Sequence, residues 1–246
     1  MKTLSTVFLL HCACLFTAIP LTGQELQPQF RFRAGESLVW DKFAKRNPNN
    51  TKSGYAQDGY VFGIGLQQPL TKYIDATIDI NVSNYQFYEE VFLESYQISF
   101  PSYAWQIEDG SYQSRNVLLG ARFYLGNQFK FFVNPAVGFS WLSFPSLQVN
   151  GSQIVKRELE TVYLRQNIDN TRTFMVSFST GIEYFISESF GLNLQYERVN
   201  YSYESGSRID VKDLDQSEGS FRLNAKGEYS VRNITLGLIF KFKWQE

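Results

Sequence analysis

The side chains able to act as bases, nucleophiles or metal ligands are few and poorly placed for that work. The chain has one histidine, His11, and two cysteines, Cys12 and Cys14. All three lie in an apolar run from Val7 to Pro20 that follows Met1-Lys2-Thr3, the charged start and short greasy core of a secretory signal peptide. His11 stands where a lipoprotein signal wants a small residue. With cleavage between Ala18 and Gln24, the expected organisation is a signal peptide at 1–23 and one domain at 24–246. The mature chain then has no imidazole and no thiol, which excludes Ser-His-Asp and Cys-His mechanisms. Removing the leader takes one of the 23 basic residues and none of the 24 acidic ones, leaving a net charge of −2.

Carboxylates are the remaining chemical resource. Asp75 and Asp79 share one face of an alternating segment, as a carboxylate-only hydrolase would need, yet nearby Arg and Lys make structural ion pairing the stronger reading. The run Asp210-Val211-Lys212-Asp213-Leu214-Asp215-Gln216-Ser217-Glu218-Gly219 clusters oxygens but misses the spacing of a calcium loop, so a solvated acidic loop is expected. Gly63-Ile64-Gly65 sits inside a strand pattern and not between strand and helix, so it is no phosphate cradle. No basic stripe points to nucleic acid. The sequence predicts no enzyme activity, no metal and no cofactor.

What the charges need is an element that places them, and the pattern supplies one. Ile74-Asp75-Ala76-Thr77-Ile78-Asp79-Ile80-Asn81-Val82 alternates at period two, so it is a strand with one greasy and one polar face. Eight segments fit that template: 30–40, 59–68, 73–87, 113–125, 129–142, 172–186, 189–202 and 229–244. Short connectors join the second to the third, the fourth to the fifth and the sixth to the seventh, while 41–58, 88–112, 143–171 and 203–228 are long. Strict alternation of short and long connectors puts all tight turns on one rim. Composition agrees, with 22 Phe and 15 Tyr in a chain whose mean hydropathy is −0.25. The predicted fold is all-β: an eight-stranded antiparallel up-and-down transmembrane β-barrel with short periplasmic turns and four long extracellular loops. A soluble sandwich or lipocalin-like barrel also alternates, but explains neither the loop pattern nor so many large apolar groups.

Parity assigns the two faces. Arg31, Arg33, Asp75, Asp79, Arg122, Lys130, Glu183, Glu197 and Lys241 fall on the inner face, where eight strands leave room only for side chains, so a salt-bridged plug is expected. Aromatics recur at strand ends: Phe30, Phe129, Tyr184, Phe190, Phe242 and Trp244 on the turn rim, Trp40, Tyr60, Trp141 and Phe174 on the loop rim. Glu36 and Arg198 fall out of place on the greasy face. A β-bulge after Gly35 would shift Glu36, and Arg198 would snorkel to the interface. Pro135 calls for a bulge or an unpaired position.

Gly120-Ala121-Arg122-Phe123-Tyr124-Leu125, Asn134-Pro135-Ala136-Val137-Gly138-Phe139 and the final run Ile234-Thr235-Leu236-Gly237-Leu238-Ile239-Phe240-Lys241-Phe242 resemble the small eight-stranded outer-membrane barrels of Gram-negative bacteria, the OmpA/OmpX-like and PorT-type group. The resemblance implies residence in the bacterial outer membrane, contact with its lipid, insertion by the barrel-assembly machinery and a monomeric state. These motifs identify an architecture and not an activity; the function expected from the whole reading is non-enzymatic, in envelope integrity, surface interaction or an accessory role in an export complex, with a narrow porin-like channel as the alternative. Loops 88–112 and 143–171 are the expected surface for an extracellular ligand or envelope partner, since loop two is unusually aromatic.

Overall fold

The computed structural model describes residues 27–45, 55–99, 101–102, 104–108, 110–145, 147–155, 158–212 and 218–242. The expected leader at 1–23 and the rim residue Trp244 lie outside the described residues.

Among the described residues eleven strands and two short helices follow one another: β1 (Gln29–Val39), α1 (Asp41–Ala44), β2 (Ala56–Pro69), β3 (Ile74–Phe87), α2 (Glu89–Ser99), β4 (Ala104–Glu108), β5 (Ser111–Gly126), β6 (Phe129–Ser143), β7 (Leu147–Val155), β8 (Glu158–Ile168), β9 (Thr171–Phe185), β10 (Phe190–Lys212) and β11 (Glu218–Lys241). Eight of them, β1, β2, β3, β5, β6, β9, β10 and β11, close on themselves, because β11 pairs with both β10 and β1. Every neighbouring pair is antiparallel. Closure leaves no unpaired strand edge in the wall, which a chain surrounded by hydrocarbon requires.

The register fixes the shape. Followed from Gln29 to Gln67, Thr77, Gly120, Ala136, Ser177, Val199 and Val231, the ladder returns to β1 at Val39, a stagger of 10 residues. Eight strands with that stagger tilt by roughly 40° at ordinary strand spacing, so each residue climbs about 2.5 Å along the axis. The turn rim is tight. Leu70 and Thr71 both donate to the Ile74 carbonyl, at 2.9 and 3.0 Å, and Ile186 and Ser187 do the same to Phe190. Between β5 and β6 the chain reverses at Gly126, whose φ of 107° is a conformation side chains resist.

Outside the barrel the described residues of the long connectors include further strands and a helix. The segment 203–228, expected as a solvated loop, is largely strand: β10 and β11 stay paired from Phe190 opposite Phe240 up to Lys212 opposite Glu218. The β7–β8 hairpin adds to this extension through β8, whose Tyr163–Ile168 stretch pairs with Ser207–Lys212 of β10, and β4 adds to β7. A five-stranded sheet in the order β11, β10, β8, β7, β4 therefore rises from one side of the mouth. Loop two is partly helical, as α2.

Candidate functional site

The outer and inner faces separate by parity along every barrel strand. Outward side chains such as Phe62, Phe131, Val176, Phe178 and Leu236 are apolar and open, while their neighbours in sequence are buried or half-buried. From Phe242 and Phe129 up to Trp40, Trp141 and Phe174 this band spans roughly 25–30 Å at the climb per residue given above, matching a hydrocarbon core. Phe30, Trp40, Tyr60, Phe129, Trp141, Phe174 and Phe242 are exposed and Tyr184 and Phe190 half-exposed, all on the outside. Phe129 stacks on Tyr184 with ring centres 4.5 Å apart, and Phe30 meets Phe242 edge-on at 5.8 Å. Among the described residues no helix is long and apolar enough to cross a membrane.

The interior has two layers. On the turn side it is charged. Arg31 donates to both Asp79 oxygens at 3.0 and 3.2 Å, Arg33 lies 3.5 Å from the same carboxylate, and Arg33 also donates to Asn81 at 2.6 Å. Arg122 pairs with Glu183, both fully buried, donates to Gln195 at 3.2 Å and lies flat over the Phe132 ring at 3.8 Å. The other inner charges are held differently. Asp75 accepts from Gln67 at 2.5 Å, and Glu197 accepts from Ser177 at 2.7 Å and Asn233 at 3.0 Å. Lys130 and Lys241, half-buried near the turn rim, sit over the rings of Tyr124 and Phe185. A carboxylate without a direct ion pair is tolerable because amide and hydroxyl donors replace its water.

Gly63-Ile64-Gly65 acquires a role here. Gly63 and Gly65 point inward, and a Cβ on Gly65 would stand 2.4 Å from Asp79 Oδ1 and 3.1 Å from Arg31 Nη2. One on Gly63 would meet Asn81 at 2.4 Å and Arg33 Nε at 2.6 Å. The two glycines clear the path by which arginines on β1 reach across β2 to β3.

Toward the loops the interior turns aromatic. Phe43 on α1 is 1% exposed and packs against Tyr85, Tyr112 and Tyr229 with ring centres 5.5, 5.1 and 4.8 Å away. Tyr201 stacks on Tyr229 at 4.4 Å, and Leu118, Leu142, Met175, Val199 and Val231 complete the layer. Hydroxyls tie the two layers together: Ser37 contacts Tyr85 at 2.8 Å and donates to Asn233, which donates in turn to Glu197. Nothing in the parity of the barrel strands pointed to Phe43, since it belongs to a single helical turn inside a long connector. The odd excess of inward tyrosines at 85, 112, 201 and 229 was the available signal.

Three exceptions resolve as follows. There is no bulge after Gly35. The ladder runs unbroken through Gly35 opposite Thr235 and Glu36 opposite Ile234 and Tyr60, so Glu36 faces outward near the loop rim. Arg198 is exposed on the outer face. Pro135 coincides with a gap in the β5–β6 ladder between the Gly120–Ala136 and Phe123–Val133 pairs, with no shift of register. In the former acidic loop, Asp210 is half-exposed and takes 2.8 Å hydrogen bonding from Arg208, which lowers its pKa. Among the described residues no cluster of three or more His, Cys, Asp or Glu is placed to hold a metal.

No protein-family model and no curated protein matches the sequence. Among solved structures the chain is similar to the outer membrane protein OprG of Pseudomonas aeruginosa, at 11% identity over 88% of this chain and 97% of that one, with a TM-score of 0.50. It is also similar to Ail of Yersinia pestis, at 13% identity over 89% and 100% with a TM-score of 0.45. Neisserial surface protein A aligns at 9% identity over 87% and 97%, with a TM-score of 0.44. At such identities the likeness is one of fold: the chain has the closed eight-stranded architecture of the small outer-membrane barrels.

Proposed function

We propose that this chain is a non-enzymatic protein of the bacterial outer membrane, exported with loss of residues 1–23, that is closed to solutes and acts at the cell surface through its loop-side sheet. The observation that carries this is the filled interior: Arg31, Asp79, Arg122 and Glu183 occupy the turn-side half and Phe43 with its four tyrosines occupies the mouth. An eight-stranded cylinder is just wide enough for side chains to fill, and filling at both levels is what supports a closed interior. Tight turns face the periplasm in this reading, the chain works as a monomer, and the barrel-assembly machinery reads the aromatic β11. The surface sheet built from β4, β7, β8 and the ends of β10 and β11 then stands outside the cell, where an envelope partner or ligand meets it.

Conductance is the test. The protein refolded in detergent and added to planar bilayers is predicted to give no stable single-channel steps. Reproducible large steps from protein that migrates as a folded, heat-modifiable species would establish the narrow-channel alternative instead.

A further inference from the structure

Arginine on a hydrocarbon-facing wall is costly, and this wall carries a cross-strand pair of them. Arg198 on β10 and Arg232 on β11 are directly opposite in the ladder, both pointing outward. Directly opposed side chains on adjacent strands stand about 5 Å apart at Cβ, where like charges repel. Neither has an acid within 4 Å among the described residues. Arg232 instead lies flat on the Trp40 ring at 3.6 Å, and Arg198 Nε is accepted by the Asn200 amide at 3.0 Å once that amide is turned to satisfy its neighbours. The nearest outward acid on the adjoining strand is Glu36, one outward position away from the residue paired with Arg232. Both guanidinium groups are thus oriented by neighbours yet lack a counter-ion.

Toward the turn rim from this pair, beyond Tyr196, Ile234 and Leu194, the wall is indented. Ala34 is the small outward residue of β1, and Phe32, Phe62, Leu192, Leu236 and Leu238 surround it as an apolar groove of about 790 Å³. Two outward arginines elsewhere, Arg115 and Arg172, flank Trp141 on β5 and β9, and Arg172 stacks over Phe139 and Trp141. They stand on the far side of the barrel from the groove.

We propose that the β10–β11–β1 wall is a binding site for one phosphorylated lipid of the outer leaflet, with an anionic headgroup phosphate bridging Arg198 and Arg232 and an acyl chain lying in the groove over Ala34. Bidentate guanidinium geometry suits phosphate oxygens, and a shared phosphate turns the repulsion between the two arginines into attraction. The groove lies on the turnward side of the pair, which is where the tail of a lipid anchored at the loop-side interface must run. This site rests on the reading that the outer face is in lipid.

The test uses the refolded protein in phosphatidylcholine nanodiscs containing one tenth diphosphoryl lipid A or its dephosphorylated form, with lipids retained after detergent release counted by native mass spectrometry. Wild type is predicted to retain the phosphorylated lipid at least fivefold over the dephosphorylated one. R198Q/R232Q should bring the ratio to near one, Ala34→Leu should reduce retention of the phosphorylated lipid several-fold by filling the groove, and R115Q/R172Q should change neither. Equal retention by wild type and R198Q/R232Q, or equal loss in R115Q/R172Q, would overturn the site. Failure of wild type to enter the nanodiscs as a heat-modifiable species would instead overturn the membrane reading, and is scored before any lipid is counted.

Discussion

Single residues show how much of the interior parity can reveal. That Arg31, Arg33, Asp79, Arg122 and Glu183 face inward follows from counting by twos along each strand. Which of them meet does not, because partner choice depends on the stagger between strands and on who leaves room. Asp79 receives two arginines because Gly63 and Gly65 stand between them, and Asp75 receives Gln67 because that amide lies nearer than any cation. Asp79→Ala strands two buried guanidinium groups, and loss of one partner of a buried ion pair costs about 3–5 kcal/mol. Urea unfolding of the micelle-bound protein is expected to show that loss. Gly65→Val places atoms where Asp79 and Arg31 now touch, an overpacking that costs about 1–3 kcal/mol in the same assay. A wild-type midpoint for Gly65→Val would show that the arginines need no such passage.

Elements repeat the lesson in their own terms. The part of every strand within the barrel wall was visible to within a few residues, since a wall with an apolar outer face and a packed polar inner face enforces period two. The connectors were less legible because their strands lie above the membrane, where both faces meet water or one another and alternation weakens. So 203–228 hid the continuation of β10 and β11, and 88–112 and 143–171 hid α2, β4 and the β7–β8 hairpin. Likewise Phe43 had no periodic context. Among the described residues the hairpin is paired to the rest through six pairs of β8 with the end of β10 and through β4. Deleting residues 147–168 should therefore leave the gel shift between boiled and unboiled protein intact. In the full chain, amide exchange should be faster in 147–168 than in β1–β3. Loss of the folded gel species on deletion would mean that the surface sheet helps to close the barrel.

At the scale of the molecule, the chain solves two problems with one register. A stagger of 10 over eight strands removes all edges from the wall and sets an interior that side chains can fill without a pore. The described residues include no cysteine, so closure of the wall and the two packed interior layers, not disulfides, hold the barrel together. All of this requires that the outer face meet hydrocarbon, and β9 tests it most directly because Phe174, Val176 and Phe178 alternate with the buried Met175, Ser177 and Ser179. Nitroxide labels placed one at a time at cysteines introduced across 174–179 of protein produced from residue 24 onward, which has no other cysteine, are to be read in liposomes by power saturation with oxygen and a water-soluble nickel chelate. Labels at 174, 176 and 178 are expected to be relaxed strongly by oxygen and weakly by nickel, while those at 175, 177 and 179 are reached by neither. Nickel access at 174, 176 and 178 equal to that of a label on the surface sheet would contradict it.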